Sequence, residues 1–210
     1  MRKALSHLRH SDPVMRQLIA RIGPYRIEYA PADFSTLVRC IVLQQLSGKV
    51  AATLYRRLVE SLENGGKVTP EALLRLPEQR LRAIGLSGAK ISYIRALAQE
   101  CAEGRLDLAR LEAAPDEEVM RELTRIKGIG AWTAHMYLIF ALQRPDVLPV
   151  GDLGIRVAVS REYNLARLPS PAEVERLGRP WRPYASVASW YLWRSLGDGA
   201  GLYPKEGPST

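Results

Sequence analysis

Apolar residues in this chain recur at intervals of three and four along almost its whole length, and that spacing commits it to helices. Phe34, Leu37, Val38, Ile41 and Val42 form one such stripe, and Ala51, Leu54, Tyr55, Leu58, Val59 and Leu62 form the next. Between them "QQLSG" breaks the pattern at Gln44 and Gln45, after which Ser47 can open the second helix. Thr69 and Pro70 supply an N-cap and a first-turn proline for a short helix ended by Pro77, and a further helix ends at Gly85. "GLSGAK" then turns into a helix whose inner face is Ile91, Ile94, Leu97, Ala98 and Cys101. Another helix after Pro115 is set to bury Val119, Met120, Leu123 and Ile126. Ser170, Pro171 and Glu173 spell a capping box ahead of Val174 and Leu177, and "YASVASWYLWRSL" predicts a last amphipathic helix. Only "YRIEY", Tyr25 to Tyr29, alternates, and it is too short to make a sheet without partners. The expectation is an all-α fold of about nine or ten helices joined by short turns. The tail "GDGAGLYPKEGPST", rich in Gly and Pro, is expected to be poorly ordered at its end.

With 210 residues the chain can bury a real core, as one large domain or as two intertwined lobes. No segment approaches the roughly 20 apolar residues of a membrane span, so a soluble protein that does not enter membranes is expected. The basic start "MRKALSHLRHSDPVMRQLI" lacks the unbroken apolar centre of a secretory signal, which places the expectation in the cytoplasm. Cys40 and Cys101 each sit in an apolar helical pattern and are read as buried thiols rather than as a metal or disulfide framework. The formal charge of +8 favours a polyanionic partner without naming one.

Chemistry concentrates in "IKGIGAWTAHMYLIFALQRPDVLPVGDLGIRV", Ile126 to Val157. Leu123 closes one helix, Gly128, Ile129 and Gly130 turn the chain, and a second helix opens around Trp132. Glycines admit positive φ and close approach, and the new helix offers unpaired N–H groups carrying partial positive charge. A DNA phosphate fits such a seat, with Lys127 and Arg125 adding charge; a plain helix-capping turn is the alternative. Further on, Asp152 stands alone between Gly151 and Leu153. It can cap the helix of "LGIRVAV", or serve as a catalytic carboxylate, or both.

Leu123 to Ala134 together with Pro149 to Arg156 resemble the helix-hairpin-helix and the Gly/Pro-rich loop with aspartate of the HhH-GPD DNA glycosylases. "IVLQQLSGKVAATLYRRL" and "LRAIGLSGAKISYIRALA" are similar to the upstream helices of the alkylbase branch, the AlkA-type 3-methyladenine glycosylases, so that the resemblance spans Phe34 to Arg194. It implies a two-lobed helical fold with the active site in the cleft. Residues 34–143 make one lobe, with the hairpin at about 118–140, and residues 1–33 with 144–210 make the other. The longer relatives' N-terminal sheet domain is not expected.

The resemblance makes Asp152 catalytic. Cleaving an N-glycosidic bond builds positive charge on the sugar, and a carboxylate about 4 Å away at an effective dielectric near 20 is worth about 4 kcal/mol. That corresponds to about a thousandfold in rate. Asp152 can act electrostatically or as general base for the attacking water. An alkylated purine leaves as a cationic base without a partner acid, and Trp132 and Trp190 are the aromatic candidates to hold it, followed by Tyr25, Met136 and Tyr137. Core packing of a helical stripe is the alternative for each. A flipped base leaves a gap, for which "QQLS" offers Gln45 with Leu46 beside it; a polar helix break is the alternative. Lys127, Gly128, Ile129, Gly130 and Thr133 are the expected DNA-contact residues of the hairpin.

Lyase members of the superfamily carry a lysine where this chain has Trp132, and Lys127 lies before the turn, so a monofunctional glycosylase is expected. Two distant cysteines cannot hold an iron–sulfur cluster. No side-chain metal site or required cofactor is expected, although the family holds Na+ or K+ on hairpin backbone, here near Gly128 and Gly130. The implied partner is double-stranded DNA with a damaged base, bound by a monomer. Rival readings are a glycosylase for oxidised or deaminated bases and a non-enzymatic DNA-binding module.

Overall fold

The computed structural model describes residues 1–46, 48–63 and 65–197. The helix start expected at Ser47 and the tail from Asp198 onward lie outside the described residues. In chain order the helices are α1 (Arg2–Ser11), α2 (Pro13–Ile22), α3 (Phe34–Leu43), α4 (Gly48–Glu60) and α5 (Pro70–Arg75). There follow α6 (Glu78–Ile84), α7 (Gly88–Ala102), α8 (Leu108–Ala113), α9 (Asp116–Thr124) and α10 (Ala131–Phe140). The last are α11 (Leu153–Glu162), α12 (Pro171–Gly178), a 3-10 turn (Arg179–Trp181) and α13 (Ala185–Ser195). Among the described residues there is no strand, and no helix is long and apolar enough to cross a membrane. The fold is all-α.

The chain divides into two compact units: a central one, Tyr29–Leu142, and a terminal one made of Met1–Glu28 and the described residues from Gln143 on. In the central unit α3 is buried on nearly every side, through Phe34, Leu37, Val38, Cys40, Ile41, Val42 and Leu43, and packs on α4, α7 and α10. Helix α10 is likewise buried from Thr133 to Phe140 apart from His135. A helix apolar all round has to sit inside a layer of others, so α3 and α10 form the core of this unit. Its caps are written locally: Asp33 Oδ1 accepts from Thr36 N at 3.0 Å, Thr69 Oγ1 from Ala72 N at 3.2 Å, and Gly85 ends α6 in the left-handed conformation at φ 105°.

In the terminal unit α13 packs on α2 and α11 with every residue from Ala185 to Trp193 buried, so the amphipathic helix expected there is corrected to one enclosed on all sides up to its last turn, where Arg194 is exposed. The serines that read as a polar face are small enough to be absorbed. Ser186 Oγ donates to Arg144 O at 2.6 Å and accepts from Val147 N at 2.9 Å. Asp12 anchors the N-terminal helices: Oδ1 accepts from Val14 N and Met15 N at the start of α2, and Oδ2 from Trp181 Nε1 at 2.8 Å and from the Tyr163 hydroxyl.

Three helices exceed the expected number: α1, α2 and α8. Helix α1 buries only Ala4 and Leu8, and α8 has six residues, too few to show a period. Two inner-face expectations are corrected as well. Met120 is partly exposed, and Cys101 is half-buried rather than enclosed, although burial still pushes its thiol up to about 11.

Candidate functional site

The aspartate of the terminal unit sits where a turn meets a helix. Val150 N donates to Leu148 O and Asp152 N to Pro149 O, both at 2.9 Å, closing a tight turn through Gly151. Asp152 then leaves the turn in extended conformation as the N-cap of α11, its Oδ1 accepting from Ile155 N at 2.7 Å. The same oxygen accepts from Trp193 Nε1 at 2.9 Å. Two donors on one oxygen, one from backbone and one from a rigid ring, fix the plane of the carboxylate. Asp152 is 8% exposed. Gly154 makes the approach of the tryptophan feasible, because a Cβ there would lie 3.0 Å from Asp152 Oδ1 and 3.2 Å from Trp193 Cδ1.

One turn before Trp193 on α13 stands Trp190, 9% exposed. Tyr25 meets it edge-on with ring centroids 4.8 Å apart, Tyr191 packs at right angles at 4.9 Å, and the Arg194 guanidinium lies 6.0 Å from the Trp190 ring centre. Tyr191 is pinned by donating to Gly23 O at 2.9 Å, and burial raises its pKa. The terminal unit thus brings together three of the sequence candidates, Asp152, Trp190 and Tyr25, on or against α11 and α13. Trp193, which orients the carboxylate, is a residue that sequence reasoning missed. Nothing in "WYLW" distinguishes its second tryptophan from the first.

The hairpin lies in the central unit. Helix α9 ends at Thr124, Ile126 and Ile129 dip into the core at 3% exposure each, and Ile129 N donates to Ile126 O at 3.0 Å. Gly128 has φ 88°, and a Cβ on it would fall 1.9 Å from Tyr93 Cγ. The first glycine is therefore demanded twice by the protein itself. Gly130 is different: exposed, at φ −92°, the N-cap of α10, with nothing within 4 Å of where a Cβ would sit. Lys127 is exposed beside the turn.

Several hairpin expectations change on inspection. Arg125 is committed to an ion-pair network with Glu100 and Glu122 and donates to Arg105 O at 2.7 Å, so its charge is largely answered within the protein. Thr133 is 2% exposed and its hydroxyl accepts from Gln44 Nε2 at 3.0 Å, a bracing contact and not an outward one. Ile129, an expected DNA contact, is a buried anchor of the turn. Trp132 is partly exposed in the first turn of α10, while Met136 at 1% and Tyr137 at 0% are core residues. The Gly128 carbonyl accepts from Gln44 Nε2 at 2.8 Å, which leaves at most one lone pair of that oxygen for a Na+ or K+. Among the described residues no group of three or more His, Cys, Asp or Glu is placed to hold a metal.

At the end of α3 the chain forms an exposed turn. Gln45 adopts φ 57°, unusual for a residue with a side chain, and Leu46 beside it is 37% exposed.

Residues 38–183 match the HhH-GPD superfamily of base excision DNA repair proteins. The chain is 32% identical over 197 residues to DNA-3-methyladenine glycosylase 1 of Schizosaccharomyces pombe, covering 92% of this chain and 86% of that protein. Among solved structures, an S. pombe 3-methyladenine DNA glycosylase in complex with abasic DNA is similar with a TM-score of 0.86 at 32% identity, covering 97% of this chain and 100% of that one. The DNA-3-methyladenine glycosidase of Bacillus halodurans is similar with a TM-score of 0.79 at 38% identity, covering 95% and 92%. The matched span contains both the glycine hairpin and the capped aspartate, and the chain belongs to the HhH-GPD superfamily of base excision DNA repair proteins.

Proposed function

We propose that this chain is a monofunctional DNA glycosylase that releases alkylated bases of the 3-methyladenine and 7-methylguanine type from duplex DNA. The observation that carries the reading is the Asp152 carboxylate, fixed through one oxygen by Ile155 N and Trp193 Nε1 at the mouth of a glycine turn. A preset negative group stabilises the positive sugar of an oxocarbenium-like transition state without reorganising during the reaction. The names of the similar proteins, DNA-3-methyladenine glycosylases, support the alkylated base as substrate. Such a base departs already cationic, so a site with one carboxylate suffices, and Trp190 with Tyr25 beside it offers aromatic faces for a cation. Trp132, in the first turn of α10, is proposed to stack on a base as well.

Phosphate is proposed to be held by the first-turn N–H groups of α10 with Lys127 alongside. The support is Gly130: the fold has no steric need for glycine there, so the empty Cβ position suits an approach from outside the protein. Gln45, at the tip of its exposed turn, is proposed to fill the gap left by the flipped nucleotide, with Leu46 beside it. No cofactor takes part in bond cleavage.

The test is base release from methylated duplex DNA by wild type and Asp152→Asn, with 8-oxoguanine and uracil duplexes alongside. Asn keeps Oδ1 as acceptor for both donors and caps helices about as well as Asp, so folding is preserved. Release of 3-methyladenine should fall about a thousandfold, the worth of the lost charge, while affinity for an abasic duplex stays within about threefold. Unchanged release by Asp152→Asn, or release only of oxidised or deaminated bases, would overturn the reading. Borohydride added during turnover should trap no covalent protein–DNA adduct, because the lysine amine that Schiff-base chemistry needs is replaced by Trp132.

A further inference from the structure

The exposed Gln45 turn and the glycine hairpin are far apart in sequence, yet one set of contacts ties both to α7. Helix α3 ends with four carbonyls, Ile41 to Gln44, that the helix cannot satisfy in the ordinary way. Gln44 N donates to Ile41 O and Leu46 N to Leu43 O, which settles two. The other two, Val42 O and Gln44 O, both accept from the Lys90 ammonium on the first turn of α7, the latter at 2.8 Å. A cation at the carboxyl end of α3 also opposes the negative end of its dipole. Lys90 is partly buried, and desolvation lowers its pKa, so its ammonium gives up hydration to make these bonds.

From the same turn the Gln44 side chain reaches the hairpin: Nε2 donates to Gly128 O at 2.8 Å and to Thr133 Oγ1 at 3.0 Å. Tyr93, one turn beyond Lys90 on α7, presses its ring onto Gly128 so closely that no Cβ fits between them. Helix α7 therefore holds the Gln45 turn through Lys90 and the hairpin through Tyr93, and Gln44 closes the triangle. Neither Lys90 nor Gln44 stands at the tip of either loop.

We infer that Gln44 and Lys90 are positioning residues that hold the Gln45 turn in fixed register with the hairpin, so that a duplex seated on the hairpin meets the inserting residue already in place. This deepens the proposed reading and rests on it, since it gives the two loops their DNA-contact roles. Insertion is a matter of ångströms, and a turn with Gln45 in a left-handed conformation keeps that shape only if its neighbours impose it. Loss of the brace should leave the phosphate seat usable and make insertion inefficient.

The experiment uses the full chain with Lys90→Met, Gln44→Leu and Asp152→Asn, and duplexes carrying 2-aminopurine beside an abasic site, whose fluorescence rises when the stack is opened. At saturating protein, wild type and Asp152→Asn should give the full rise, and Lys90→Met and Gln44→Leu less than about a third of it. Single-turnover base release by the two brace variants should fall about tenfold on a paired substrate and change less than about twofold when the alkylated base sits in an unpaired bubble. A full fluorescence rise with either brace variant overturns the inference, as does an equal loss of release on paired and bubble substrates, or no rise with wild type. Should Lys90→Met fail to fold, Gln44→Leu decides alone, its side chain being only partly buried. Failure of the glycosylase reading looks different: a full rise with wild type but no base released from either substrate.

Discussion

Trp193 is where the chemistry of a single residue depends most on a neighbour. Its indole N–H donates to Asp152 Oδ1 at 2.9 Å, and the ring is buried at 5% exposure. Trp193→Phe removes the donor and keeps most of the packing. A hydrogen bond to a charged group is worth about 1.5 to 3 kcal/mol. Ile155 N remains to hold the oxygen, so we expect a fall in single-turnover base release of about tenfold, with affinity for an abasic duplex unchanged. An unaltered rate would mean that the carboxylate is set without the Trp193 bond. Asp152 was legible in the sequence as a helix cap, which the structure shows; its catalytic role, implied by the resemblance, is what we propose. Trp193, Gln44 and Lys90 were not legible in their roles. Their contacts join residues 41, 84 and 46 positions apart, and local patterns carry no trace of such approaches.

At the level of the element, the hairpin separates what a turn needs from what a ligand needs. Gly128→Ala would have to place a side chain at φ 88° and against the Tyr93 ring, and should destabilise the chain by about 2 kcal/mol or more. Gly130→Ala meets no atom and an ordinary φ, so its stability should stay within about 1 kcal/mol of wild type. If the first turn of α10 seats a phosphate, the added methyl stands in the way, and duplex affinity should drop about tenfold. Thermal melting and DNA titration of the two variants check both halves, and a Gly130→Ala protein that binds duplex like wild type removes the phosphate seat. Both glycines were visible in the sequence, but only the structure assigns them different reasons. The helices show the same division. Short helices announced by a cap and a first-turn proline, such as α5 behind Thr69–Pro70 and α12 behind the Ser170–Glu173 capping box, could be read directly. Helices α1 and α8 could not: neither has a first-turn proline, α1 has no side-chain cap, and two buried residues or one give no period to make up for it. Helix α13 was read with the wrong face count, since small serines mimic a polar side while lying inside.

For the molecule as a whole, the unit made from the two ends of the chain is held by a buried acid whose partner Tyr163 stands at the opposite end of α11 from Asp152. Asp12 is 5% exposed and takes four donors: two backbone N–H groups of α2 on Oδ1, and Trp181 Nε1 and the Tyr163 hydroxyl on Oδ2. Through it the first helices are fastened to residues 151 and 169 positions away. Burial, followed by the bond to Asp12, raises the pKa of the Tyr163 hydroxyl, which therefore stays a donor across the working pH range. Asp12→Ala removes a helix cap worth about 1 kcal/mol and orphans the buried Trp181 N–H and the partly buried Tyr163 hydroxyl, at about 1 to 3 kcal/mol each. We expect a loss of about 3 to 7 kcal/mol, a large part of the 5 to 15 kcal/mol typical of a domain. Asp12→Asn is the sharper probe. Its single carbonyl oxygen can cap α2 or accept from Trp181 and Tyr163, and its amide then turns N–H toward donors on the other side. The loss should be smaller than for alanine yet clearly measurable, and denaturant titration followed by tryptophan fluorescence reads it well, since Trp181, Trp190 and Trp193 all belong to this unit. An Asp12→Asn protein as stable as wild type would show that the four donors do not all need the carboxylate, and that the N-terminal helices are held chiefly by the apolar contacts of Leu8, Met15, Leu18 and Ile19.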